Sequence, residues 1–334
     1  MLKSLQRRFI SLFLLFLVPL VLAIACNPQS NTNSNSTPQV LNVGVPLWPG
    51  FGPQYVAYEM DLFKEEGIEV KENFFQVQSE SNTAFLAGKL DLILTGLTDV
   101  VTMASRDPDL KLIMLCDYSD GADGILGRGI EKPEDVKGKT LARESLLTAI
   151  LLVRRFLEQA GLTEADVNIV DTPAADAAIA FAAGKVDVAA TWEPFLSKAA
   201  REGNGEIIFT SEDTNIIPDG YIVRTKTFLE RKPELKAYLR AVDKATKLIK
   251  ERDEEAVAII AKRLEVTPEE ANDFLNGVLM LDIEDNKKIV FNKKHALNIY
   301  DSLEFAAETA YDIKLTPELV DIDPLIDDSL LQDL

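Results

Sequence analysis

Three aspartates stand within seven residues in Asp117-Tyr118-Ser119-Asp120-Gly121-Ala122-Asp123. Close together, such carboxylates repel one another unless a cation or donor sits among them. A calcium loop would explain the run, but the spacing lacks the EF-hand pattern and its closing glutamate. Contact with a small ligand, a hinge, or a solvated turn remain as readings, and no metal is expected.

Aromatic and hydroxyl groups gather at comparable places. Trp48 stands among two prolines and two glycines in Trp48-Pro49-Gly50-Phe51-Gly52-Pro53. An aromatic face there could stack on a ligand or close over a cation, worth about 0.5–2 kcal/mol. The alternative is a tryptophan that plugs its own loop. Gln78 and Ser79 could donate or accept, or be plain surface residues. Thr95, Thr98 and Asp99 precede a helix expected from Val100, where hydroxyls and free amides can hold an anion without arginine. Thr98 and Asp99 could equally be N-caps. Ser145 is a further N-cap candidate, with the first amides of Leu146 and Leu147 toward a cleft. Thr191, Trp192 and Glu193 end another strand, and a carboxylate there would recognise an amine or ring N–H. Glu193 could instead pair with Lys198. Carboxylates outnumber cations in this set, which suits an amine or a zwitterion better than a bare inorganic anion.

Other chemistries are poorly supported. The chain has one histidine, His295, and two cysteines, Cys26 and Cys116. Transition-metal sites and histidine-based nucleophile triads therefore lack their usual parts. Cys116 closes the apolar run Leu112-Ile113-Met114-Leu115 and is expected to be a buried small hydrophobe.

The elements that must position these groups announce themselves by repetition. AFLAGKLDLILTG at 84–96 returns as AFAAGKVDVAATWEP at 180–194. Each phrase reads as a helix, a glycine stop and a buried strand, with Gly88 and Gly184 leaving the helix in a left-handed conformation. The echo is structural on this reading. Function falls where the phrases diverge, at the carboxyl ends of the strands, the edge where open α/β sheets bind ligands. Around the echoes, strand and helix alternate from Val40 and again after Pro133, which argues for mainly parallel α/β sheets. After Tyr221-Ile222-Val223 the chain turns helical, and Thr267-Pro268-Glu269-Glu270 is a capping box with proline at the first helical position.

A length of 334 residues with 47 % hydrophobic and 27 % charged residues suits two globular lobes. The first 26 residues differ. Lys3, Arg7 and Arg8 precede FISLFLLFLVPLVLAIA, an uncharged run of 17 residues that ends before Cys26. A spanning helix needs about 20 apolar residues, so a cleaved export signal is expected. Residues 27–39, NPQSNTNSNSTPQ, are polar or proline and read as a tether with a reach of about 20 Å. The formal net charge of −19 becomes −22 once the three signal cations are gone. Such a body will not bind nucleic acid or an anionic membrane by charge.

Ile24-Ala25-Cys26 resembles a bacterial lipobox, which implies cleavage before Cys26 and lipidation of its thiol. The rest resembles the type II solute-binding proteins of ABC importers, in the branch handling nitrate, aliphatic sulfonates, taurine and thiamine precursors. The residues that carry the likeness are Val43-Gly44-Val45, Trp48-Pro49-Gly50, Leu62-Phe63-Lys64-Glu65-Glu66-Gly67-Ile68 and Phe85-Leu86-Ala87-Gly88-Lys89-Leu90-Asp91. The 117–123 segment and Ala183-Gly184-Lys185-Val186-Asp187 with Trp192-Glu193-Pro194 complete it. The resemblance implies an α/β, two-lobed type II periplasmic-binding-protein fold, with mixed, mainly parallel sheets and two crossing hinge strands. The crossings are expected near Gly121–Arg128 and Asp219–Arg224, giving a first lobe of 40–124 plus 221–334 and a second of 125–220. Asp219 at the second crossing completes the candidate set.

The implied function is capture of a small solute by lobe closure and delivery to an ABC permease and its ATPase, without catalysis. An aliphatic sulfonate or taurine is favoured on the family's weight; a thiamine-precursor pyrimidine or another amine-bearing solute is the alternative. A ligand-sensing subunit for some other membrane partner is a third reading. The expected protein is an exported, lipid-anchored monomer without a cofactor, facing the periplasm or cell exterior.

Overall fold

The computed structural model describes residues 40–212 and 214–334. The expected export signal, Cys26 and the tether lie outside the described residues. Among the described residues no helix is long and apolar enough to cross a membrane.

The chain begins with β1 (Leu41–Pro46), α1 (Gly52–Glu59), β2 (Val70–Phe75), α2 (Gln78–Leu86), β3 (Leu92–Gly96), α3 (Leu97–Ala104) and β4 (Leu110–Ser119). It then builds β5 (Asp123–Gly127), β6 (Thr140–Arg143), α4 (Leu147–Gln159), β7 (Asn168–Asp171), α5 (Ala174–Ala182), β8 (Val188–Trp192), α6 (Phe195–Gly203) and β9 (Glu206–Thr210). Next come β10 (Pro218–Arg224), α7 (Lys232–Lys250), α8 (Glu254–Leu264), α9 (Pro268–Asn276), β11 (Val278–Met280) and α10 (Ile299–Asp312).

Two sheets result, ordered β11-β4-β10-β3-β1-β2 and β7-β6-β8-β5-β9. In each, three parallel strands adjoin an antiparallel one: β10 beside β3 in the first, β5 beside β8 in the second. The first sheet is covered on both faces. Leu92, Leu94, Tyr221 and Val223 point into a cluster with Tyr55, Tyr238, Ile249 and Ile260. Their strand neighbours Ile93 and Ile222 point the other way, against Val100, Val101, Leu303 and Ala306. That alternation is the period of two expected of a strand.

The repeated phrase is a repeated joint. Gly88 and Gly184 have φ of +73° and +69°, conformations that cost other residues about 1–2 kcal/mol. The amides of Asp91 and Asp187 donate to the carbonyls of Asn42 and Thr140, at 2.8 and 3.0 Å. Their carboxylates in turn accept from the amides of Asn42 and Thr140, at 2.8 and 2.9 Å. Each aspartate therefore ties its strand to the start of the parallel neighbour, β1 or β6. Arg224 and Arg128 complete the parallel: each donates to the carbonyl of the phrase's phenylalanine, Phe85 or Phe181, and lies over its ring.

The chain passes between sheets at 120–122 and again at 211–217, a few residues ahead of the anticipated crossings. β4 and β10 each run further than their apolar cores suggested, because they pair with one another through Pro218 and Tyr118. Gln78 and Ser79 lie in the first turn of α2 rather than in a loop. α3 starts at Leu97, three residues before the expected Val100. The Thr267 capping box forms as read, with Glu270 at its third position.

Candidate functional site

Strand ends of both sheets meet at a small cavity of about 40 Å³, room for about three water molecules. Leu47, Trp48, Phe51, Gln78, Gly96 and Asp99 line it from the first sheet's side. Asp123, Leu146, Thr148, Ala149 and Trp192 line it from the second, and Ile217 and Asp219 from the returning strand.

Trp48 is only 5 % exposed, so it is not the open aromatic surface its loop suggested. Its Nε1–H donates to Asp117 Oδ1 at 3.3 Å, and Tyr55 anchors its backbone. Gly50 allows this approach, since a Cβ there would meet Asp117 Oδ2 and Trp48 Nε1 at 2.2 Å each. Gln78 donates to Thr95 Oγ1 at 2.8 Å and to Asn82 Oδ1 at 3.1 Å. Thr95 is buried behind it and does not reach the cavity.

Asp99 and Thr98 do something the sequence did not reveal: they bridge the two sheets' layers. Thr98 Oγ1 lies 2.6 Å from Thr148 Oγ1. Asp99 accepts from the Thr148 amide at 3.3 Å and its hydroxyl at 3.1 Å. Asp99 thus occupies the start of α4, where a helix offers free amides and a positive end. The cap expected from Ser145 is not formed; Ser145 is exposed and Leu146 precedes the helix without a side-chain bond. Gly96 is needed at this seam, since a Cβ would lie 2.7 Å from Thr148 Oγ1.

The aspartate run separates. Asp120 is exposed, its amide bonded to the Gly277 carbonyl, and lies outside the cavity lining. Asp117 and Asp123 are buried, and Asp219 joins them, opposite Asp117 in the β4–β10 pairing. Thr191 is buried with its hydroxyl on the Ala174 carbonyl. Glu193 accepts from the amide and hydroxyl of Ser197, at 3.1 and 2.5 Å, not from Lys198. Ser79 is half-buried on α2 and outside the lining. Leu146, its amide expected to face a cleft, does line the cavity, whereas Leu47, Phe51, Thr148, Ala149 and Ile217 are lining residues absent from the sequence-based set. Apolar loop residues carry no chemical signal, and Thr148 acquires its importance only from Asp99 across the seam.

Electrostatically the site is one-sided. Burial pushes the carboxyls of Asp99, Asp117 and Asp123 up to about 7. The two Thr148 donors only partly offset this for Asp99, as the Trp48 donor does for Asp117. Asp219 is raised well above the carboxylate range, first by burial and then by the fields of Asp117, Asp123 and Asp99. Of this facing pair Asp219 holds its proton the more tightly, because burial and three neighbouring carboxyls act on it, while Trp48 steadies charge on Asp117. Burial also raises Glu144 and Glu193. Among the described residues no lysine or arginine lines the cavity. Lys198, Arg201, Lys262 and Arg263 line a separate, wider groove, where Arg201 reaches Glu270 at 3.1 Å. Arg143, the cation nearest the β6 end, is paired with Asp171 and Glu164. Among the described residues no group of three or more histidine, cysteine or acidic side chains is placed to hold a metal ion. Cys116 is buried and its thiol is pushed up, by burial and by Asp117.

Known proteins place this architecture. A Bacillus subtilis protein named for aliphatic-sulfonate binding is 28 % identical over 68 % of this chain and 71 % of its own. The taurine-binding periplasmic protein of Escherichia coli is 26 % identical over 61 % of this chain and 65 % of its own. Among solved structures, the alkanesulfonate-binding protein SsuA from Xanthomonas axonopodis pv. citri, bound to MOPS, shares the fold with a TM-score of 0.74. It is 19 % identical and is matched over 98 % of its length and 87 % of this chain. The α/β, periplasmic-binding-protein fold expected from the sequence is the one found. A family model described as NMT1/THI5 like matches residues 48–256, and the chain belongs to that family.

Proposed function

We propose that this protein is the solute-binding component of an ABC importer, exported and without catalytic activity, that captures a small organic molecule between its two sheets. One observation carries the reading: a cavity lined from both sheets, with Asp99 and Thr148 joining its walls. Trp48, Gln78, Asp99, Asp123, Trp192 and Asp219 face the solute, and Asp117 supports Trp48 and Asp219 from behind. The names of the relatives support the sulfonate and taurine class as the starting set of solutes. Two lobes, 40–124 with 221–334 and 125–220, close on the solute, and the closed form is delivered to a permease driven by an ATPase. The protein acts as a monomer anchored by lipid on Cys26, facing the periplasm or the cell exterior.

A thermal-shift panel of taurine, alkanesulfonates, nitrate, pyrimidines and choline-like amines tests the binding role. At least one solute is expected to raise the melting temperature, and the same solute to reduce the radius of gyration in solution scattering. A tight ligand that leaves the dimensions unchanged would overturn closure, and silence across the panel would overturn the reading itself.

A further inference from the structure

The cavity is built for positive charge. Asp219 is 7 % exposed and lines the cavity. Among the described residues no N–H or hydroxyl donates to its carboxyl; its polar neighbour is Asp117, another carboxyl. Asp117 Oδ2 is buried with no hydrogen-bond partner. Asp123, 5 % exposed, lines the opposite wall. Buried carboxyls without a counter-charge are costly in low dielectric, and one positive partner relieves several of them at once.

An anion has no comparable place. Among the described residues no cationic side chain lines the cavity, and Asp99 already fills the start of α4, where a sulfonate would otherwise find amides. An incoming anion would have to displace Asp99 and then sit beside Asp123 and Asp219. A metal ion is no better suited, since no group of three donors is placed to hold one among the described residues. The two tryptophans supply apolar, electron-rich surface for the carbon body next to a cationic head.

We propose, on the binding-protein reading above, that the solute must carry a protonated amine, seated against Asp219 and Asp123 with its carbon body on Trp48 and Trp192. The ammonium pairs with carboxylate charge at Asp219 and Asp123, any proton it displaces there passing to solvent, and any sulfonate in the molecule is a secondary feature.

Calorimetric titration of the intact chain at pH 8 with propylamine, taurine, 1-propanesulfonate and nitrate tests this. Binding of propylamine or taurine with no heat from the two anions is expected. Asp219→Asn should weaken the amine roughly tenfold to a hundredfold, and Asp123→Asn should weaken it in the same direction. Circular dichroism establishes that both variants fold, and if one does not, the other carries the test. Propanesulfonate or nitrate binding as tightly as the amines would overturn the inference, as would unchanged amine affinity in a folded variant. Anion binding with silent amines would leave the binding-protein reading standing while removing this one; silence from all four counts against both.

Discussion

At the scale of single residues, the Asp117–Asp219 pair is the least comfortable feature of the fold. The two side chains face each other across β4 and β10, buried and, among the described residues, without a cation in the cavity lining beside them. Trp48 offers one donor to Asp117, and among the described residues no N–H or hydroxyl donates to Asp219. Replacing Asp219 by asparagine keeps the shape, supplies a permanent N–H donor to Asp117 and removes one ionisable group. Asp219→Asn is therefore expected to stabilise the ligand-free protein by roughly 1–3 kcal/mol at pH 8, read as a higher urea midpoint. The gain should shrink near pH 5, where the wild-type pair is already protonated. A lower midpoint at pH 8 would mean that the pair stabilises the fold and is not a strained recognition site. Of the three aspartates that drew attention in the sequence, only Asp117 and Asp123 are buried together. Their separation from Asp120 follows from the crossing at 120–122, which composition alone does not mark.

At the scale of elements, the repeated phrase was readable because its demands are local. A helix stop needs a left-handed residue, and a buried strand needs apolar alternation; both leave signatures at Gly88, Gly184, Leu92 and Val188. The role of Thr148 was not readable, because its partner lies 49 residues away and the contact exists only once both sheets have formed. Gly96 differs in kind from the helix-stop glycines for the same reason. At Gly88 a Cβ would meet nothing within 4 Å, and the conformation alone resists substitution. Gly88→Ala is expected to cost about 1–2 kcal/mol of stability and to leave the compactness unchanged. Gly96 has ordinary backbone geometry, but its Cβ would strike Thr148 at 2.7 Å and crowd Asp99 at 3.3 Å. Gly96→Ala should instead push the two layers apart at the cleft. Solution scattering is expected to show a larger radius of gyration for that variant alone. Equal dimensions for both variants would mean that the seam through Thr148 does not hold the closed arrangement.

At the scale of the whole molecule, buried carboxyls couple folding to pH in a direction opposite to the usual one. Aspartate in an unfolded chain titrates near 3.9, whereas Asp99, Asp117 and Asp123 titrate near 7 in the fold and Asp219 higher still. Between those values the folded chain holds more protons than the unfolded one. Unfolding then releases protons, so stability falls as pH rises through this window. A second group works the other way. Glu66, Asp107 and Asp282 are held below their ordinary values, with Lys244 and Arg240 offsetting burial at Glu66, Arg224 at Asp107, and Lys250 offsetting burial at Asp282. Their contribution is complete above the unfolded carboxylate values and is lost only as pH drops below them. The self-repulsion of a strongly negative chain adds to the alkaline loss. Together these place the greatest stability of the ligand-free protein near pH 4, about the unfolded carboxylate values, with a decline from there toward pH 8. Calorimetric melting across pH 4–8 measures this, and the doubly substituted Asp123→Asn, Asp219→Asn protein should show a shallower decline over the same range. A melting temperature that is flat or rises between pH 5 and 8 would mean that the cavity carboxyls ionise freely, and that the cleft already holds the positive charge it is expected to recruit.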